Sequence, residues 1–228
     1  VDRLGPYGRL YEVDTRPRLT GKSGALAVSI DEFQRYFADE HGPLSERQAL
    51  CKARPICGSE KGCQRIMEVI QQILQNPPWK DAYSREITET RHKLEASASP
   101  RNLKRAPGGT VDIEFIVQML QLRHGAESRE ILRPGTLPAL SSLHEEGFLD
   151  KDTFATLSKA YRYLRGVEAR LRLMNTAARH DLPEDRTELT KLAYLLHEDS
   201  AASLENRSRK ITAEARRLYR CLFHSEQN

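Results

Sequence analysis

Apolar residues recur at spacings of three and four along most of this 228-residue chain, and glycine or proline cuts off each recurrence. The pattern predicts helices at 60–75 and 80–97, divided by Asn76-Pro77-Pro78. Further helices are predicted at 110–124, 135–147, 150–179, 185–197 and 200–223. Gly125, Gly147 and Leu182-Pro183 stand where helix C-termini need stop signals. Between 97 and 109, SASPRNLKRAPGG reads as a basic, turn-prone connector. The beginning of the chain has another period. In RLYEVD (9–14), Tyr11 and Val13 alternate with Glu12 and Asp14 as in a half-buried strand. A turn-rich stretch follows at 16–24, ALAVS (25–29) reads as a second short strand, and PICG (55–58) reads as a returning one. Ser29 or Asp31 supplies a cap for a helix through IDEFQRYFADE, where Ile30, Phe33 and Phe37 share a face and Gly42-Pro43 ends the run. SERQALCKAR (45–54) is one more helix. The expected architecture is mainly α: a helical bundle over 59–228, preceded by a short β remnant within 1–58.

Helix 110–124 is the most informative. Ile113, Ile116, Val117 and Leu120 make one apolar face, and Phe115, Met119 and Leu122 add a second. Glu114, Gln118 and Gln121 form the remaining polar stripe. A helix apolar over most of its circumference belongs at the centre of a bundle. Its stripe is therefore expected to face a polar cavity or another domain.

Composition narrows the picture only a little. The 39% hydrophobic and 30% charged residues suit a helix-rich protein, and no apolar run approaches the roughly 20 residues of a membrane span. The N-terminus lacks the layout of a signal peptide, so a cytoplasmic address is the default. Cys51, Cys57, Cys63 and Cys221 match no zinc spacing and read as ordinary reduced cysteines. The net charge of +4 comes from interleaved acids and bases, which does not indicate nucleic acid; only Arg-rich runs such as 207–220 speak for it. The histidines show no ligand spacing.

Two places can carry chemistry. On a strand, Asp14 and Arg16 project to one side. A carboxylate beside a guanidinium suits a metal-bound polyphosphate, but from spacing alone an exposed local salt bridge is the better account of the pair. In PGGTVDIEF (107–115), Gly108 and Gly109 let the backbone approach another group ahead of a helix N-terminus. Thr110 is the expected N-cap, and Asp112 suits the first turn by its charge. Capping does not account for Glu114. Arg165, Glu168 and Arg172 are spaced for structural ion pairs. No Walker loop, GxSxG or GxGxxG is present.

The order of segments resembles a known family. GRLYEVDTRPRLTGKSGALAVSIDEFQRYF, SERQALCKARPICG, PGGTVDIEFIVQMLQLRHG and AYRYLRGVEARLRLM are similar, in order, to four blocks of the glutamine synthetase adenylyltransferase family, together spanning roughly 8–182. The resemblance implies that 1–58 is the C-terminal part of a polymerase-β-like nucleotidyltransferase domain, with the family's helical bundle after it. It implies an enzyme of nitrogen control using ATP and Mg²⁺. One unit of such enzymes transfers AMP to a tyrosine of glutamine synthetase and the other removes it by phosphorolysis; which unit this is stays open. Glutamine synthetase is the implied partner, and PII signal proteins the implied regulators. Carried over, Asp14 is a catalytic, Mg²⁺-binding carboxylate, and Arg16 and Arg18 are phosphate contacts. Glu46 matches the acid of a Trp-Glu segment, and Gly108, Gly109, Asp112 and Glu114 match a helix facing the nucleotide cleft.

Three features depart from the family pattern. The family's paired aspartates lie upstream of anything matched here, RPRL replaces RLRP, and Ser45 replaces a tryptophan. One carboxylate does not hold two metal ions. The chain by itself is therefore expected to be inactive. A non-catalytic regulatory or partner-binding domain of the same family is the alternative.

Overall fold

The computed structural model describes residues 19, 24–38, 42–174 and 180–224. Nine α-helices are present among them: α1 Ile30–Ala38, α2 Leu44–Leu50, α3 Glu60–Gln75, α4 Asp81–Ala96, α5 Thr110–His124, α6 Thr136–Glu145, α7 Lys151–Met174, α8 Arg186–Leu195 and α9 Ala201–His224. A 3-10 turn at Arg129–Ile131 joins α5 to α6.

The starts have local causes. Ser29 Oγ accepts from Glu32 N at 3.1 Å, Ser59 Oγ from Gly62 N at 3.2 Å, and Asp185 Oδ1 from Glu188 N at 2.8 Å. Each satisfies one of the amide donors that a helix N-terminus leaves open. Gly147, with φ of 81°, turns the chain out of α6.

Helix α5 is the axis of the fold, packed against α2, α3, α4, α6, α7 and α9. Ile113 and Ile116 on one apolar face and Met119 on the second are fully buried, as its nearly unbroken apolar circumference requires. Leu44, the first residue of α2, and Cys51, just after the helix, belong to the same core cluster as α5. A second, smaller cluster of Phe37, Val69 and Ile73 holds α1 against α3. Helix α8 rests on α7 and α9.

The connector at 97–109 is strapped down. Leu103 N donates to His180 O at 2.8 Å and Leu182 N to Arg101 O at 3.0 Å, around an isolated antiparallel bridge between Asn102 and Asp181. Asn102 Oδ1 accepts from the amides of Lys104 and Arg105, which fixes the turn.

Strand readings fare differently from helix readings. The one at 9–14 lies outside the described residues. Those at 25–29 and 55–58 are corrected: neither segment is a strand, and the described residues contain no sheet. Leu26 is 73% exposed and Ile56 86%, so the alternation buries no face, and the described residues hold no second strand to pair with either segment. No helix among the described residues is long and apolar enough to cross a membrane.

Candidate functional site

The PGGTVDIEF segment builds a buried charge cluster at the head of α5. Gly109, with extended backbone, precedes Thr110, the first helical residue; neither caps the helix through a side chain, which corrects the expectation for Thr110. The capping bond runs the other way. Asp112 Oδ2 accepts from Gly108 N at 2.7 Å, so the side chain within the first turn reaches back to the amide before it.

The two glycines are there because a neighbouring backbone is close. Gly108 has φ of 77°, and a Cβ on it would stand 1.8 Å from the carbonyl oxygen of Thr212 in α9. A Cβ on Gly109 would stand 2.6 Å from Lys104 O. Among the described residues, what approaches these glycines is the protein's own connector and α9.

Asp112 is fully buried. Its Oδ1 accepts from Nε of the equally buried Arg91, and Arg216 reaches Oδ2 at 3.2 Å. Glu95 completes the cluster, 3.4 Å from Arg91 and 3.0 Å from Arg216. Arg91 also donates to Ala106 O at 3.1 Å. Two arginines against two carboxylates give a balanced, mostly desolvated group joining α4, α5, α9 and the connector. Removing one member from such a group strands the others in low dielectric.

Glu114 is two residues on and differs in setting. Its side chain keeps 15% exposure, pairs with Lys52 just after α2, and accepts from Tyr161 Oη of α7 at 3.1 Å. Burial, reinforced by the Glu114 charge, holds the Tyr161 hydroxyl above its ordinary range, so it stays a donor to that carboxylate. The rest of the polar stripe is satisfied inside the bundle. Gln118 accepts from Gln48 Nε2 at 2.7 Å, and Gln121 Nε2 donates to Ile131 O at 2.8 Å and Arg133 O at 3.0 Å. The expectation that the whole stripe faces a cavity or a second domain is thus corrected: α2 and the 3-10 turn supply its partners, because buried amides require them.

Asp14, Arg16 and Arg18 lie outside the described residues. Glu46, on α2, is partly exposed. Among the described residues no group of three His, Cys, Asp or Glu side chains is placed to hold a metal ion, and Asp112 and Glu114 are both engaged by cations, so these residues do not form a magnesium site. The four cysteines are free, and burial pushes the Cys51 thiol up to about 12, which keeps it an unreactive packing group.

Two family models match different parts of the chain. Residues 81–223, containing α4–α9, match the family model of GlnD PII-uridylyltransferase, and residues 2–69 match that of glutamate-ammonia ligase adenylyltransferase. Proteins named bifunctional glutamine synthetase adenylyltransferase/adenylyl-removing enzyme align over nearly all of it. The Rhizobium meliloti protein is 31% identical over 226 residues, which is 96% of this chain and 23% of the relative. The Streptomyces coelicolor protein is 29% identical over 223 residues, 95% of this chain and 22% of the relative. The chain belongs to the glutamine synthetase adenylyltransferase family. The Xanthomonas campestris relative agrees, at 32% identity over 85% of the chain and 21% of its own length. The chain thus spans less than a quarter of the length of these adenylyltransferases.

Within that family frame, the sequence reading missed Arg91, Arg216, Lys52 and Tyr161, the partners of the motif's acids. Arg91 left a signal: it stands at the spacing of Ser84 and Ile87, the buried face of α4, and an arginine in register with a buried face calls for a buried carboxylate. Arg216 was hidden in the 207–220 run. That run is largely internal currency, since Arg207 pairs with Glu198, Arg216 with Asp112 and Arg217 with Glu214.

Proposed function

We propose that this chain is part of an adenylyltransferase that transfers AMP from ATP to a tyrosine of glutamine synthetase, or removes it by phosphorolysis, in the control of nitrogen assimilation in the cytoplasm. The observation that carries this reading is alignment of about 95% of the chain with enzymes of that name. Residues 1–58 are assigned to the end of the nucleotidyltransferase domain and 59–228 to the helical bundle.

Asp14 is the proposed catalytic carboxylate. With Mg²⁺ bound in the intact parent, the metal supplies charge neutralisation for the transferred phosphoryl group; Asp14 contributes an oxygen ligand, and Arg16 and Arg18 bind phosphate oxygens. Gly108, Gly109 and Asp112 act by positioning: they fix the first turn of α5 against α4 and α9. Glu114, with Lys52 and Tyr161, is the part of the motif with access to solvent and is assigned to the face towards the nucleotide cleft. PII proteins are the proposed regulators.

The test is Asp14→Asn in the intact parent, assayed for AMP transfer to and AMP removal from glutamine synthetase. Loss of at least one activity is expected, with the fold unchanged. Both activities at parental levels would refute the catalytic assignment. That outcome would favour a non-catalytic partner-binding domain, the reading to which the RPRL order and Ser45 also point.

A further inference from the structure

A groove of about 600 Å³ between α7 and α9 has no role in the reading above. Ala155, Ser158, Lys159 and Arg162 enter it from α7, and Arg207 of α9 from the other side, with Tyr163 alongside. The four α7 residues are spaced i, i+3, i+4 and i+7, so they share one helix face. Ala155, the small member, leaves room beside the longer ones.

Lys159 and Arg162 are exposed, and among the described residues neither is paired with a carboxylate. Arg207 is held in place by Glu198 at 2.6 Å and by the ring of Tyr163, 4.8 Å below its guanidinium. Tyr163 is itself fixed through its hydroxyl, 3.0 Å from Ser208 Oγ. The decisive group is Ser158. It is 3% exposed and lines the groove, yet its Oγ has no hydrogen-bond partner among the described residues. A buried hydroxyl without a partner is costly, and native structures rarely leave one without a reason.

A second basic groove, lined by Pro107, Arg209, Arg216, Arg217 and Arg220, holds more arginines. Its Arg216 is committed to Asp112 and Glu95, and its Arg217 to Glu214. The α7 groove combines two cations that no carboxylate pairs among the described residues with an unfilled hydroxyl.

We propose that this groove binds a small phosphate-bearing molecule, whose phosphoryl oxygens take the Ser158 hydroxyl at the floor and Lys159 and Arg162 at the rim. A tetrahedral oxyanion accepts from several directions at once, which suits a guanidinium fork, an ammonium and a hydroxyl converging from one helix face. A planar carboxylate fits that arrangement less well. The site uses neither Arg16 nor Arg18, the arginines assigned to phosphates beside Asp14.

Isothermal titration of the 228-residue chain with pyrophosphate tests the proposal. Saturable binding is expected, weakened about tenfold by Arg162→Glu and about threefold or more by Ser158→Ala, as loss of a charged and of a neutral hydrogen bond implies. Ser158→Ala removes no bond of the free protein, so its melting temperature stays level or rises, which separates lost binding from lost folding. ADP binding as tightly as pyrophosphate identifies the diphosphate group as what is recognised, and tighter ADP binding identifies a nucleotide as its source; both uphold the site. The proposal is overturned by absence of saturation at millimolar pyrophosphate, by succinate binding equally well, or by affinity that depends on Arg16 and Arg18 but not on Arg162.

Discussion

Asp112 shows how a residue that suits a cap in the sequence acquires a different function in the fold. Its carboxylate closes the turn at Gly108 and neutralises two arginines brought from α4 and α9. Arg91→Met should therefore destabilise the chain by about 3 kcal/mol or more in urea unfolding, because it leaves a buried carboxylate with Arg216 alone. A cost under about 1 kcal/mol would mean that the cluster is not electrostatically balanced as described. His180 makes a second prediction. It lies 3.0 Å from Glu168, but burial, followed by Lys104, holds its pKa below the ordinary 6.5. A histidine whose folded pKa is depressed favours the folded state while neutral. Its contribution is complete above about 6.5 and is lost as pH falls toward the lower folded value. Stability should thus decline as pH drops through the window below 6.5, and His180→Gln should flatten that part of the profile. An unchanged slope in the variant would assign the acid sensitivity elsewhere.

Helices were read closely from the sequence because each apolar period ends at a residue that breaks it. Asn76-Pro77-Pro78 ends α3 at Gln75, Gly147 follows the end of α6 at Glu145, and Pro183 precedes the start of α8 at Arg186. The strand readings at 25–29 and 55–58 had no such support. Five residues alternating by chance mimic a strand, whereas a real one needs a partner to take its hydrogen bonds. The stripe on α5 was legible as polar but not as satisfied, since its partners come from 70 residues away in the case of Gln48. Gln121 lets this be measured. Gln121→Leu keeps the apolar character of the helix but strips the donors from the Ile131 and Arg133 carbonyls. It should cost about 1–3 kcal/mol and loosen the 3-10 turn, seen as faster amide exchange around Arg129–Ile131. A neutral or stabilising change would show that water replaces those bonds without penalty.

Across the molecule, one core runs from α2 to α9 around α5, and the motif at the head of α5 is divided between support and presentation. Gly108, Gly109 and Asp112 face inward to the connector, α4 and α9, whereas Glu114 looks out beside Lys52 and Tyr161. The sequence made the motif visible as a unit but did not reveal this division, because it follows from which neighbours arrive at each position. The direct measurement is a paired comparison in the intact parent. Asp112→Asn and Glu114→Gln are each assayed for stability and for AMP transfer and removal. Asp112→Asn should cost about 3–5 kcal/mol. Glu114→Gln should change stability by less than about 1 kcal/mol, its ion pair being partly exposed, while lowering at least one activity about tenfold or more. Full activity in Glu114→Gln, or an Asp112→Asn protein as stable as the parent, would contradict the account.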